Sequence, residues 1–576
     1  MSVAATREQL SETPDPYGAY PRLSPEQITA LEAHGTRRAT NEGEIIFRAG
    51  DTSYDFVVVL QGMVGIVERD HGAERLIAVH GAGRFLGELN LLTGETAFVS
   101  AVVRQPGEVL AVPAKRLREL VATDPTFGDL ILRAFIIRRS ILIGLRTGLR
   151  IVGSRHSPDT RRLREFAARN RLPHSWIDLE DYPAAETLLR ELGVAPAETP
   201  VVICSGETVL RNPTNAELAR VVGLPVASAS EAACDVVIVG LGPAGLAAAV
   251  YAASEGLGTI AVDAVAAGGQ AATSSRIENY LGFPFGISGA ELAERAAIQA
   301  DKFGARPRLA LRATSLTRRD GNYVMRLDDG GEIESQGVVI ATGARYRTLD
   351  IPRLAQFEGT SVYYAATEIE AQSCRMDPVA IVGGGNSAGQ AAVFLSGHAP
   401  TVHLLLRGGD LGADMSRYLV DRIAATSNIH VHPLTELTAL LANQRGELEK
   451  VRWKNQRTGV ETEANVRHVF LFVGADPATE WLRSCEIVLD GKGFVKTGAD
   501  LTRQDLVRAR RRDVPRPLET SVPGVFAIGD VRCGSVKRVG GAIGEGAAVV
   551  AQLHSYLAEL DEQSVDRSST TPEALP

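Results

Sequence analysis

DVVIVGLGPAGLAAAVYAASEGLGTIAVDAVAAGGQ, Asp235–Gln270, is the stretch whose reading decides the fold. Val236–Val239 is an apolar run of strand length bounded by glycine, which reads as a buried parallel strand. Gly240, Gly242 and Gly245 follow as G-x-G-x-x-G, with Pro243 and Ala244 between them, at the opening of an alanine-rich helix. In that pattern the first glycine permits the tight turn and the second lets the backbone approach a pyrophosphate. The third lets helix and strand pack closely. Phosphates sit at the unpaired N–H groups and positive dipole end of such a helix. A second strand, Thr259–Val262, ends in Asp263, at the distance of roughly 20 residues where a carboxylate accepts from ribose hydroxyls. A lone glycine motif carries little weight. Strand, glycines, helix, strand and acid in order specify a dinucleotide-binding unit.

Downstream, the same grammar recurs. In VAIVGGGNSAGQAAVFLSGHAPTVHLLLRG, Val379–Gly408, the residues Gly383, Gly385 and Ala388 make G-x-G-x-x-A, with Asn386 and Ser387 inside it. The second strand of this unit ends in Arg407 where an acid would hold a 2′-hydroxyl. An arginine suits a 2′-phosphate, hence NADPH over NADH. Between the two units stand Gly268-Gly269-Gln270, the segment IENYLGFPFGISG (Ile277–Gly289), and VVIATGARYR (Val338–Arg347), whose strand ends in Ala341-Thr342-Gly343. Near the C-terminus, SVPGVFAIGDVR (Ser521–Arg532) puts Gly529-Asp530 at the end of a buried strand, where a carboxylate can accept from a ribityl chain. KRVGGAIGEGAAVV, Lys537–Val550, is a glycine-laced helix start whose backbone N–H groups and Lys537 can face a flavin ring.

The 576-residue chain is long enough for about four domains. It is 45% hydrophobic, only 5% aromatic and holds 57 glycines, which suits α/β architecture with many tight turns. A net charge of −8 gives no case for nucleic acid or an anionic membrane as partner. No apolar run reaches the roughly 18 residues of a membrane span, and the first residues lack the pattern of a secretory signal. Cys204, Cys234, Cys374, Cys485 and Cys533 lie scattered, with no C-x-x-C pair. That usage points to a reducing cytoplasm, without a disulfide framework or a zinc site. The polar ends, 1–22 and 561–576, read as mobile tails.

From residue 23 to 145 short alternating strands between glycine turns precede a helix with Phe127, Leu130, Ile131, Ala134, Ile137, Ile141 and Leu145 on one face. This β-roll with helices resembles a cyclic-nucleotide-binding domain, most sharply at FLGELNLLTGETAFVSAVV, Phe85–Val103. Gly87 and Glu88 keep the places they hold in that family's phosphate-binding cassette, where the glutamate holds the ribose 2′-hydroxyl. The family's phosphate-binding arginine falls on Ala97, and losing such a charge-assisted contact costs about 1.5–3 kcal/mol. The departure points away from cyclic AMP or GMP and towards docking or another ligand. Residues 148–225 resemble a thioredoxin- or glutaredoxin-type α/β domain. Ser157-Pro158-Asp159-Thr160 stands where that family has C-x-x-C, and Thr199-Pro200 matches its cis-proline. Cys204 reads as a small buried core residue. Ala227–Cys234 is a small-residue linker.

The two fingerprints, GGQ, IENY, ATG and the GD strand together resemble the low-molecular-weight thioredoxin reductases, pyridine-nucleotide flavoproteins. The resemblance implies two Rossmann-like domains, one for FAD over 230–350 and 476–560 and one for NAD(P)H inserted over 351–475. It assigns FAD to Gly240, Gly242, Pro243, Ala244, Gly245, Asp263, Gly269, Gln270, Asn279, Ala341, Thr342, Gly343, Gly529, Asp530, Lys537, Arg538 and Val539. It assigns NADPH to Gly383, Gly385, Asn386, Ser387, Ala388 and Arg407. In the family a second C-x-x-C relays electrons from flavin to a disulfide. Here Tyr364-Ala365-Ala366-Thr367-Glu368 stands at that place, with Ala365 and Glu368 at the sulfur positions. The implied chemistry is hydride transfer from NADPH to FAD, then electrons to an external acceptor. That acceptor is a thioredoxin-like disulfide, a ferredoxin-type carrier, a quinone or oxygen. Glu368 reads as a candidate proton donor or a solvated carboxylate, and Arg503–Arg516 as a docking surface for an acidic redox protein or a solvated loop. A homodimer is the family's expectation. A second reading makes the chain a redox sensor in which flavin and nucleotide report to regulatory front domains.

Overall fold

The computed structural model describes residues 10–569 apart from 71–72, 183, 205–207, 227–232, 275, 359, 375, 444–445 and 484. The chain divides into two compact units at Val226/Ala227. Most of the linker expected at Ala227–Cys234 lies outside the described residues; Cys234 itself opens a strand.

In the first unit, valine-rich alternation builds a five-stranded antiparallel sheet. Its order is Thr36–Thr40, Ser100–Val112, Phe56–Asp70, Ala73–His80, with Ile45–Phe47 paired to Ser100–Val112. The inward side chains, among them Val57, Val59, Val64, Leu86, Val99 and Val109, form one buried cluster. Asp124 caps the helix Pro125–Gly144, its carboxylate accepting from the N–H groups of Thr126 and Phe127. The face that apolar spacing indicates is inward at Phe127, Ile131 and Ala134, and the buried face widens beyond it towards the C-terminal end. Ile137 and Ile141 are only half-buried and Leu145 is exposed, while Arg138 and Arg139 are buried with Ile131, Phe135 and Leu142. A tally of apolar residues cannot see arginines that reach inward to buried partners.

The sheet that follows runs His174–Asp178, Leu149–Gly153, Val201–Ile203, Val209–Arg211, the first pair parallel and the others antiparallel. Ser157 caps the helix Pro158–Arg169, which buries Leu163, Phe166 and Ala167. The Thr199–Pro200 peptide bond is cis.

The second unit holds two parallel-centred sheets. In the larger, the order is Arg306–Leu309, Thr259–Asp263, Cys234–Val239, Glu332–Ile340, Asn322–Leu327, Ala313–Arg319, with Val525–Ala527 beside Glu332–Ile340. The chain leaves this sheet after Ile340 and returns to it at Val525, and a second parallel sheet lies within that interval. The inserted sheet is wholly parallel: Val362–Tyr363, His468–Leu471, Val379–Val382, Val402–Leu405, Ile429–His432. An antiparallel trio, Thr435–Ala442, Leu448–Asn455 and Glu461–Ala464, lies between the last two in sequence. The outgoing and returning segments pair with each other, Ala344–Tyr346 against Ala475–Pro477.

One expectation about the ends is corrected. Residues 10–22, expected as part of a mobile tail, are packed: Ala19 and Tyr20 are buried, and Glu12 is ion-paired to Arg22 and Arg84. At the other end the helix Val539–Ser569 carries regular structure through 561–569. Among the described residues no helix is long and apolar enough to cross a membrane.

Candidate cofactor site

The glycines of the first fingerprint each have a distinct steric reason. Gly240 sits at φ +102°, and a Cβ there would lie 2.3 Å from the Ala341 carbonyl oxygen. A Cβ on Gly245 would lie 1.8 Å from the Gly240 oxygen. Both are closed to any side chain by the protein itself. Gly242 differs: its backbone is extended, and the nearest atom to an added Cβ is the Gly269 Cα at 3.9 Å. It faces open space. Gly242 is also the N-cap of the helix Pro243–Ser254, without a side-chain cap, so its first N–H groups stay open to a ligand.

Three further segments close around that helix start. Gly268 and Gly269, both at positive φ, bring the GGQ turn against it, and the Gln270 amide donates to the Ala344 carbonyl. Thr342 donates to Ala478 O at 2.9 Å, tying the ATG turn to the returning chain. Gly529, at φ +71°, packs where a Cβ would meet the Ala244 Cβ at 2.9 Å. Ala244, Gly245, Gly269, Ala341, Gly343 and Gly529 are thus brought to one place. Asp530 lies beside them, partly buried; its carboxylate has no hydrogen-bond donor among the described residues, and burial pushes its carboxyl up from the usual range. Lys537 donates instead to the Asp530 main-chain oxygen at 2.7 Å. Lys537 and Arg538 are exposed just ahead of the helix that begins at Val539.

Some expected residues have other partners. Asp263 accepts from the N–H groups of Leu241, Val265 and Ala266 at 2.9–3.0 Å, so its carboxylate already holds the two loops together. Asn279 is exposed. Glu545 was not singled out by sequence: it accepts from the Gly529 N–H at 2.7 Å and pairs with Arg532 at 2.6 Å. Its only sequence signal is an acid set among Gly540, Gly541, Gly544 and Gly546 at the start of its helix.

In the second fingerprint, Gly383 (φ +148°) would meet Phe472 O at 2.4 Å if it carried a Cβ, whereas Gly385 has nothing within 4 Å. Gly385 caps the helix Asn386–Ser396, again without a side-chain cap, and Ala388 is fully buried. Ser387 is exposed in its first turn, while the Asn386 side chain accepts from the Ser416 N–H at 2.7 Å. The strand ends at Leu405, and Arg407 follows two residues on, exposed and with no ion pair among the described residues. Arg422 reaches across to both oxygens of Glu278, at 2.9 and 2.8 Å.

At the place of the relay sulfurs, Ala365 leads into the helix Glu368–Ser373. The side chain of Glu368 lies outside the described residues. All five cysteines are free thiols. Burial pushes the Cys204 and Cys374 thiols up to about 12. The arginine-rich segment is not uniformly outward: Arg511 is buried against Glu519 at 2.7 Å, and Arg516 bridges Glu519 and Glu559.

Residues 234–546 match the family "Pyridine nucleotide-disulphide oxidoreductase", and residues 37–124 the "Cyclic nucleotide-binding domain". The NADPH-dependent thioredoxin reductase 3 of Arabidopsis thaliana is 31% identical over 367 residues, 61% of this chain and 65% of that protein. The thioredoxin reductase of Mycolicibacterium smegmatis is 31% identical over 334 residues, 58% of this chain and its own full length. Among solved structures, the Lactococcus lactis thioredoxin reductase superposes with a TM-score of 0.51 at 27% identity, covering 57% of this chain and 99% of that one. With more than half of its length inside one family match and a complete thioredoxin reductase aligned there, the chain belongs to the pyridine nucleotide-disulphide oxidoreductase family.

Proposed function

We propose that the second unit is an FAD-dependent NADPH oxidoreductase that passes electrons to an external acceptor without a dithiol of its own. The observation that carries this reading is the paired design of the two fingerprints. Each has a first glycine shut by neighbouring backbone and a second glycine open at an uncapped helix start. The residues present fit a flavin dinucleotide: the open Gly242 turn suits a pyrophosphate, and the Asp530 carboxylate, with no donor among the described residues, is open to the hydroxyls of a sugar chain. When bound, the two cofactors supply hydride transfer from nicotinamide to flavin.

The chain's own part is placement. Gly240, Gly245, Gly269 and Gly529 let backbone close on the dinucleotide, and Asp530 orients its sugar chain. Arg407 offers an unshared guanidinium to a 2′-phosphate. With Ala365 in the relay position and Cys374 buried as a neutral thiol, no described pair of sulfurs can carry electrons outward. The acceptor is therefore a separate molecule: a small redox protein, a quinone or oxygen. The family relationship favours turnover over the sensor reading. The sheet around the cis Thr199–Pro200 bond supports a thioredoxin-like fold for residues 148–225, without the dithiol, and a homodimer is the assembly we expect.

The test is anaerobic. NADPH added to flavin-loaded protein should bleach the flavin band, and the colour should return with the right acceptor as thioredoxin, ferredoxin, quinone and air are offered in turn. Protein that binds flavin but never bleaches with NADPH or NADH would overturn the proposal.

A further inference from the structure

The β-roll of the first unit encloses a cavity of about 40 Å³, a few times the roughly 10–15 Å³ one water requires. Most of its wall is apolar: Phe47, Ile66, Ile77, Val99, Ile141 and Leu142. Polar side chains also line it, among them Glu88, Arg138, His80 and Asn90, each more than nine-tenths buried. Arg138 is 6% exposed, His80 1% and Asn90 2%. Each of these three has an unsatisfied atom: Nη2 of Arg138, Nδ1 of His80 and Nδ2 of Asn90.

Their other atoms are fixed. Arg138 donates from Nε to Ala19 O and from Nη1 to Gly87 O, both at 2.7 Å, and its guanidinium lies 4.5 Å from the Phe85 ring centroid. The Asn90 oxygen accepts from the Tyr54 hydroxyl at 2.6 Å, which turns the amide nitrogen away from that partner. No carboxylate forms an ion pair with Arg138 among the described residues. Glu88, the natural candidate, faces the same cavity but holds Arg139 at 2.8 Å, and Arg139 also holds Glu95 at 2.8 Å. Burial pushes the Glu88 carboxyl towards its neutral form. The family's ribose glutamate is thus occupied and its phosphate arginine is Ala97, buried in the wall.

Asp15 and Glu88 favour the Arg138 charge only from a distance, and a buried cation with no direct ion pair, beside an amide donor without an acceptor, is costly unless something supplies oxygen atoms. We propose that this cavity binds a small organic carboxylate in place of a cyclic nucleotide, with Arg138 and Asn90 donating to its oxygens and the aliphatic wall covering a body of a few carbons.

The test uses the full chain. Sodium acetate, propionate and butyrate, each against sodium chloride of equal ionic strength, are titrated by calorimetry and by thermal unfolding, with cyclic AMP and cyclic GMP in parallel. At least one carboxylate should bind saturably and raise the midpoint. Arg138→Met should weaken that binding by roughly ten- to hundredfold, the worth of one charge-assisted contact. Should Arg138→Met fail to fold, Ala97→Leu fills the cavity with the cation intact and should abolish the same binding. Saturable binding of a cyclic nucleotide with none of any carboxylate, no saturable binding at all, or carboxylate binding unchanged in Ala97→Leu would each overturn the proposal.

Discussion

Gly242 and Gly245 look alike in sequence, three residues apart, yet the space around them differs completely. Gly245→Ala drives a methyl into the Gly240 carbonyl and should cost about 1–3 kcal/mol of stability, as overpacking does. Gly242→Ala meets nothing of the protein closer than 3.9 Å. It should leave flavin-free stability within about 0.5 kcal/mol and weaken flavin retention on the order of tenfold. Equal losses of stability in the two variants would refute the distinction. Arg407→Ala should reduce NADPH preference over NADH by roughly ten- to hundredfold, the value of a charge-assisted contact, read as the ratio of kcat/KM for the two nucleotides. These positions were legible because a glycine fingerprint is a constraint on backbone, and backbone constraints are written in local sequence. Arg138, Arg139 and Glu545 were not legible. Their partners lie 13 to 119 residues away, and only the folded chain brings them together.

Elements show the same split between local and distant causes. Val236–Val239 and Val379–Val382 are apolar at every position because parallel central strands are covered on both faces. In the helix Pro125–Gly144 the apolar count finds Phe127, Ile131 and Ala134 but misses Arg139, which holds Glu88 and Glu95 in a buried salt-bridge trio on the inner face. The short helix Arg503–Arg508 is a case where local chemistry has a measurable pH signature. Thr502 caps it, and Asp505 bonds back to Thr502 and to Lys496 at 2.8 Å, which lowers the Asp505 carboxyl to about 2. A carboxyl held below its unfolded value of roughly 3.9 adds stability that is complete above that value. It is lost as pH falls through the folded one. Between pH 4 and pH 2 the Asp505→Asn variant should therefore lose less stability than the parent; identical acid limbs in thermal unfolding would rule this out. Native alkylation gives a second test. At pH 8 iodoacetamide should spare Cys204 and Cys374, whose thiols stay protonated, as peptide mapping would show.

Across the whole chain, the order of parts was readable from motifs, whereas the fate of the termini was not. Residues 10–22 are polar and proline-bearing, yet Tyr20 meets His80 edge-on and Arg138 through its ring face, contacts without any local signature. The insertion of one nucleotide fold into another is what the family resemblance implies, and the late strand Val525–Ala527 pairs with Glu332–Ile340 accordingly. What sequence did not show is that the two crossings run side by side, Ala344 opposite Pro477 and Tyr346 opposite Ala475. Entry and exit thus share one doorway, which makes the inserted fold a detachable cartridge. Removing residues 347–474 and bridging Tyr346 to Ala475 with a tight turn should yield a shorter polypeptide that still comes out yellow while ignoring reduced nicotinamide. Evolution could have fitted, exchanged or discarded that cartridge without disturbing the chamber that holds the pigment.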